Sequence, residues 1–193
     1  MSLYSLEELD LLPVVLLKEY AYCPRYAYFQ FRVGGEYATP SMLVASELGA
    51  PDFEVPDGWE AYRSVYVKSR ALGLHGFADA VLKRGGLVRV VEAKALTRVT
   101  RRSLFGRARH VLVQAVAYAL LAEETLKATA DAVIVLGSEG RVEVRVTPAL
   151  RSYVVSLASS MRRSLASPEP PPRVQSWKCG YCYYRRLCRQ LMP

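Results

Sequence analysis

Asparagine is absent from this 193-residue chain, and glutamine occurs only at positions 30, 114, 175 and 190. Heat-labile amides are therefore scarce, a bias expected of a thermophile, although a GC-rich genome also produces it. No stretch approaches the roughly 20 uncharged apolar residues of a membrane span. The apolar run at residues 11–17 contains Pro13 and is followed at once by Lys18 and Glu19. A spanning helix is thus excluded, and the expected setting is soluble and cytoplasmic. There is no internal repeat.

What is present is enough apolar residue, 51% of the chain, for one full core with a decorated end, and too little length for two comfortable domains. The formal charge of +8 and a pI near 9.4 favour a polyanionic partner. Lysines and arginines that neutralise phosphates release condensed counterions, so nucleic acid is the natural candidate. A basic, merely soluble surface is the plainer alternative.

Residues 5–31 place apolar and aromatic positions at helical spacing, interrupted by Pro13 and Pro24, which predicts one or two short helices. Residues 39–58 are punctuated by proline and glycine around a possible short helix at 41–48. The period then changes: residues 62–70 alternate, and residues 74–82 and 87–95 read as further strands joined by a turn at 83–86. Residues 103–122 should form the main helix. Strands at 132–136 and 141–146 flank a turn at 137–140, and Pro148 opens a helix to about residue 165. SPEPPP at 167–172 is a stiff linker that delivers a cysteine-bearing tail.

Asp79 stands near the end of one strand and Glu92-Ala93-Lys94 on the next. Strand side chains alternate, so Glu92 and Lys94 share a face, and a carboxylate on the neighbouring strand can lie opposite them. Hard oxygen ligands of this kind hold Mg2+ or Mn2+, and a lysine beside them can orient water or stabilise developing charge in phosphodiester hydrolysis. A Glu-x-Lys pair is common on strand surfaces, but this one sits in the apolar run VRVVEAKAL, where two charges are costly without a task. Gln114 and Tyr118, four apart, share a face of the main helix and can reach a DNA phosphate or base. Arg98, Arg101, Arg102, Arg107 and Arg109 surround Phe105, a pattern that can track a nucleic-acid backbone while a base stacks on the ring; a solvated helix entrance is the alternative.

Cys179, Cys182 and Cys188 lie in the tail, and the only other cysteine, Cys23, is near the opposite end. Four thiolates suit zinc or an iron-sulfur cluster; the isolated ligand favours the cluster, and disulfides are a third option. Ligation would clamp the N-terminal helix to the tail. Tyr20, Tyr22, Tyr26 and Tyr28 at one end and Tyr181, Tyr183 and Tyr184 at the other are expected to pack around that site.

In order and spacing, YCPRYAYF, GFAD, VVEAKA, QAVAY and CGYCYYRRLC resemble the CRISPR-associated iron-sulfur exonuclease family, the fourth of the Cas families, in the RecB-like branch of the PD-(D/E)xK nucleases. The resemblance covers almost the whole chain. It implies one α/β nuclease domain over residues 1–193 with a restriction-endonuclease-like core, a central mixed sheet flanked by helices. A cluster-binding subdomain would be formed by residues 15–32 and 173–193. Asp79 and Glu92 would bind Mn2+ or Mg2+, Lys94 would be the catalytic lysine, and Gln114 with Tyr118 the fourth motif. Cys23, Cys179, Cys182 and Cys188 would hold an iron-sulfur cluster, of four irons in preference to two. The implied activity is 5′ to 3′ exonuclease cutting of single-stranded DNA, trimming spacer precursors for the CRISPR integrase complex.

One departure concerns a histidine that the family usually carries upstream as a metal ligand: here none precedes His75. Glu47, in MLVASELGA, takes about the expected place. A DNA-end-binding adaptor with weak catalysis and a RecB-like repair nuclease outside CRISPR are the competing functions.

Overall fold

The computed structural model describes residues 11–33 and 52–191, and proline punctuates the first of these segments. Pro13 closes the two-residue strand β1 (Leu12–Pro13) and leads into α1 (Val14–Tyr22), which buries Val14, Leu16, Leu17 and Tyr20. Pro24, at the first position of α2 (Pro24–Val33), holds Cys23 extended at φ −161°, ψ 113°, because a residue before proline is pushed out of the helical region. Cys23 thus sits at a kink between two helices. Glu47 and the helix expected at 41–48 lie outside the described residues.

An antiparallel meander follows, β2 (Glu60–Ser69), β3 (Leu74–Arg84) and β4 (Leu87–Arg98). The strands run further than their alternation predicts, leaving only Gly85 and Gly86 as the turn, with Gly85 at φ +56°. The single helix expected at 103–122 is two, α3 (Arg101–Leu104) and α4 (Arg109–Leu126). Thr100 and Ser103 cap α3 reciprocally, and Gly106, which costs a helix about 1 kcal/mol relative to alanine, sits in the break. A parallel neighbour requires a long crossover, and α3 with α4 supplies it between β4 and β5 (Thr129–Glu139). β5 runs through the turn expected at 137–140, leaving Gly140 alone before β6 (Arg141–Arg145). It passes so close to β4 at Gly137 that a Cβ there would strike the Thr97 carbonyl. α5 (Pro148–Ala166) starts at Thr147, whose hydroxyl accepts the Leu150 N–H.

The sheet is mixed, in the order β1-β3-β4-β5-β6, with β2 also paired to β3. Val88, Val90, Val133 and Val135 face the main core with α1, α4 and α5, while Val91, Ile134 and Leu136 face a smaller cluster under Trp59. α4 is enclosed: every residue from 111 to 119 is buried. The tail, with α6 (Arg185–Gln190), is held by α2. Arg32 donates to the Leu165 and Ser167 carbonyls at 2.9 and 2.7 Å, and Tyr28 to that of Pro168 at 2.6 Å. Buried Arg25 donates to the Leu191 carbonyl.

Candidate active site

β2 holds one edge of β3 along nearly its whole length, so β4 and β1 must share the other. The β3–β4 ladder stops at Ala80↔Val91, and β1 joins at Leu74 and His75. Asp79 lies one residue past the last ladder pair, where Oδ2 accepts the Ala93 N–H at 2.7 Å. Glu92 is 1% exposed; Oε1 accepts Lys94 Nζ at 2.6 Å and Oε2 is buried without a partner. Burial pushes the Glu92 carboxyl up to about 7, against the pull of Lys94, and the Asp79 charge adds to the rise. The expected convergence of two carboxylates and an amine is therefore present at the point where two strands part.

α4 backs this point with His110, Gln114 and Tyr118, spaced by four and therefore on one face. Gln114 is 6% exposed with Oε1 unpartnered, and Tyr118 is 3% exposed. A Cβ on Gly76 would stand 3.0 Å from the Tyr118 ring and hydroxyl, so this glycine makes room for the tyrosine. Burial, then Glu92, raises the Tyr118 phenol. His110 is pushed down to about 4 by burial and then by Lys18, Lys178 and Lys94, so its ring is neutral near pH 7. The sequence motifs include none of Lys18, Lys178 and His110. His110 was legible there, one turn before Gln114; the two lysines carry no spacing signal because they arrive from opposite ends of the chain.

A divalent cation fits the carboxylates on one observation, the orphaned Glu92 Oε2, since a buried carboxylate oxygen without a partner is costly. Asp79 and Glu92 would hold it. Among the described residues no group of three or more His, Cys, Asp or Glu is arranged to hold a metal ion, and Glu47 lies outside them. His75 packs beside Tyr66, ring centroids 6.0 Å apart.

The arginine run does not form one track. Arg98 lies 3.6 Å from Glu139, and Arg102 and Arg107 are exposed. Arg101 and Arg109 stack over Phe105 and Tyr153 at 5.4 and 5.2 Å. These last two arginines line a cavity of about 740 Å³ floored by Leu112, Val113 and Val116, roughly opposite the His110–Tyr118 face of α4.

All four cysteines are free and half-buried. The Cys182 thiol is pushed up by burial and then by Cys23, Cys188 and Cys179, so the four share one neighbourhood without ligating geometry. Of the tyrosines, Tyr22 feels the charge of three of these cysteines, and Tyr26 meets Tyr184 at 5.2 Å. Tyr20 and Tyr28 instead reach Ser164 and Pro168, and Tyr181 and Tyr183 are exposed.

A mixed sheet with Asp, Glu and Lys at a strand divergence, backed by a crossover helix, is the arrangement of a nuclease, and a profile of the PD-(D/E)XK nuclease superfamily matches residues 36–189. Within that class the chain belongs to the CRISPR-associated exonuclease Cas4 family. The Cas4 of Aeropyrum pernix is 38% identical over 192 residues, covering 92% of this chain and 94% of its own length. That of Thermoproteus tenax is 28% identical, covering 91% and 92%. A Cas4/Cas1 fusion of Geobacter sulfurreducens is 29% identical over 93% of this chain but 34% of the fusion. The crystal structure of SSO0001 shares the fold, with a TM-score of 0.54 at 17% identity, covering 100% of this chain and 90% of that one. Among the described residues no helix is long and apolar enough to cross a membrane.

Proposed function

We propose that this nuclease cuts single-stranded DNA as a 5′ to 3′ exonuclease, with Mn2+ or Mg2+ at Asp79 and Glu92, and trims spacer precursors for a CRISPR integrase. The observation that carries the reading is the buried, unpartnered Glu92 Oε2 beside Lys94 and across from Asp79. A bound divalent cation would neutralise phosphate charge and acidify a water. Asp79 is oriented by the Ala93 N–H, and Lys94, partly exposed, can turn its ammonium to the attacking water or to the phosphoryl oxygens as charge develops. Gln114 and Tyr118 would position the strand from α4. Arg98, Arg102 and Arg107 would contact DNA farther out, while Arg101 and Arg109 face the groove on the other side of α4.

Cys23, Cys179, Cys182 and Cys188 would hold an iron-sulfur cluster, a reading supported by the shared neighbourhood of the thiols. The name of the Geobacter relative, a fusion to Cas1, supports an integrase partner. The test is degradation of end-labelled single-stranded DNA with Mn2+ by wild type and Lys94→Ala. Cutting by wild type alone is expected; equal cutting by the variant would refute the site, and tight binding without cutting would favour an adaptor.

A further inference from the structure

We propose that Lys18 and Lys178 form a second phosphate subsite of the DNA-binding cleft, clamping a backbone phosphate next to the one being cut, with Tyr22 and His110 as its wall. The inference rests on the nuclease reading of Asp79, Glu92 and Lys94 and extends it to Lys18, Lys178 and His110, which lie outside every motif.

The geometry begins on α1, where Lys18 and Tyr22 are four residues apart and share a face. That face meets α4: the Tyr22 ring stands edge-on to the His110 ring, centroids 5.2 Å apart at 74°. His110 belongs to the same α4 face as Gln114 and Tyr118, so α1 presents Lys18 and Tyr22 toward the catalytic face. Lys178 comes from the tail. Its Nζ lies 4.0 Å from the Tyr22 ring centroid and donates to the Tyr22 carbonyl at 2.9 Å, which fixes the ammonium and leaves two of its three protons for a ligand. Lys18 Nζ pairs with Glu19 at 2.8 Å, both side chains 16% exposed, which holds the ammonium on this face in a pair that a phosphate would share. The lowering of the His110 ring by both lysines, after burial, agrees with this placement.

The acids near these lysines are already engaged: Glu19 with Lys18, Glu92 with Lys94, and Asp79 with the Ala93 amide. A phosphodiester is the anion such a cleft would take, and a neutral His110 can add one ring N–H. Tyr22 precedes Cys23 and Lys178 precedes Cys179, so folding of the cysteine-bearing ends places this half of the cleft.

The test is the salt dependence of binding of a fluorescent oligo(dT) of about ten nucleotides, in chelator so that nothing is cut. Removing the cation that neutralises one phosphate of a single strand reduces the slope of log K against log salt by about 0.7. The double variant Lys18→Gln/Lys178→Gln should reduce the slope by about that much and weaken affinity about tenfold at moderate salt, and each single glutamine variant should take part of that loss. Lys178→Arg, which keeps the charge, should retain the wild-type slope. Lys127→Gln, at the far end of α4 about 25 Å along the axis, controls for net charge and should change neither. Wild-type slope and affinity in both glutamine variants, or an equal reduction in Lys127→Gln, would overturn the proposal. Slopes that change in a protein unable to cut with Mn2+ would leave the subsite standing and remove the nuclease reading; a cutting protein with unchanged slopes would do the reverse.

Discussion

Replacing Glu92 by glutamine should stop cutting and, in the absence of metal, make the fold more stable. The side chain is 1% exposed, one oxygen is unpartnered, and burial lifts the carboxyl from its ordinary 4.5 to about 7. At about 1.4 kcal/mol per pH unit, keeping it ionised costs the metal-free fold about 3 kcal/mol. The folded state holds this proton more tightly than the unfolded chain, so the contribution is intact below about pH 4.5 and is lost as pH rises through about 7. Glutamine is neutral like the protonated acid and keeps an acceptor for Lys94, whose pull is already part of that balance, so the net gain at pH 8 is about 3 kcal/mol. For a chain of this size that is a rise of about 6–12 °C in Tm. Melting curves by circular dichroism in chelator, at pH 4.5 and pH 8, compare the two proteins. The difference should widen with pH, and Mn2+ should raise the Tm of wild type alone. A variant that melts below wild type at pH 8, or a difference independent of pH, would refute the assignment of Glu92 as a buried, uncompensated carboxylate.

Arg151 grips Glu123 through two bonds of 2.6 and 2.7 Å and also donates to the Ala130 carbonyl, so Arg151→Met should cost about 2 kcal/mol at pH 7 by urea denaturation. Burial alone would raise the Glu123 carboxyl, but the Arg151 fork and the Ala130 N–H outweigh it and hold it below the ordinary range. This stabilisation is present above about pH 4.5 and fades as pH falls through the folded value, so wild type and variant should converge in acid; a constant gap would contradict the pairing. Gly137→Ala drives a methyl into the Thr97 carbonyl and to 2.9 Å from that of Glu139, and should lower stability by about 3 kcal/mol, read from the urea midpoint. An unchanged midpoint would mean that β4 and β5 do not approach as described. Protein purified without oxygen should be brown and contain iron, and Cys23→Ala should lose colour, iron and thermal stability; colourless wild type with stoichiometric zinc would rule out the cluster.

Much of the site is legible without the fold. Glu92 and Lys94 stand out because two charges in VRVVEAKAL violate the apolar pattern around them, and their separation by two already puts them on one face. Gln114 and Tyr118 are legible from helical spacing. Element ends are less so: Gly106 breaks what periodicity presents as one helix, and β5 runs past Gly137 because a parallel partner from across the sheet continues there. Local pattern reports what a residue prefers, whereas strand length depends on which neighbour supplies hydrogen bonds.

The arginines show the opposite limit. As a linear run, Arg98 to Arg109 looks like one basic track, yet the turn at residues 105–108 and the rotation of α4 send Arg101 and Arg109 to a groove roughly opposite the catalytic face. By itself, the sequence determined the chemistry available, two carboxylates with a lysine and four thiols at the chain ends, together with the family to which that order of motifs belongs. Tertiary structure alone decided that β4 leaves β3 just where Asp79 can meet Glu92, that one Glu92 oxygen is buried unpaired, and that Lys178 stacks on Tyr22, whose ring meets His110. Those features depend on strand divergence and helix packing between distant segments, to which spacing along the chain is blind.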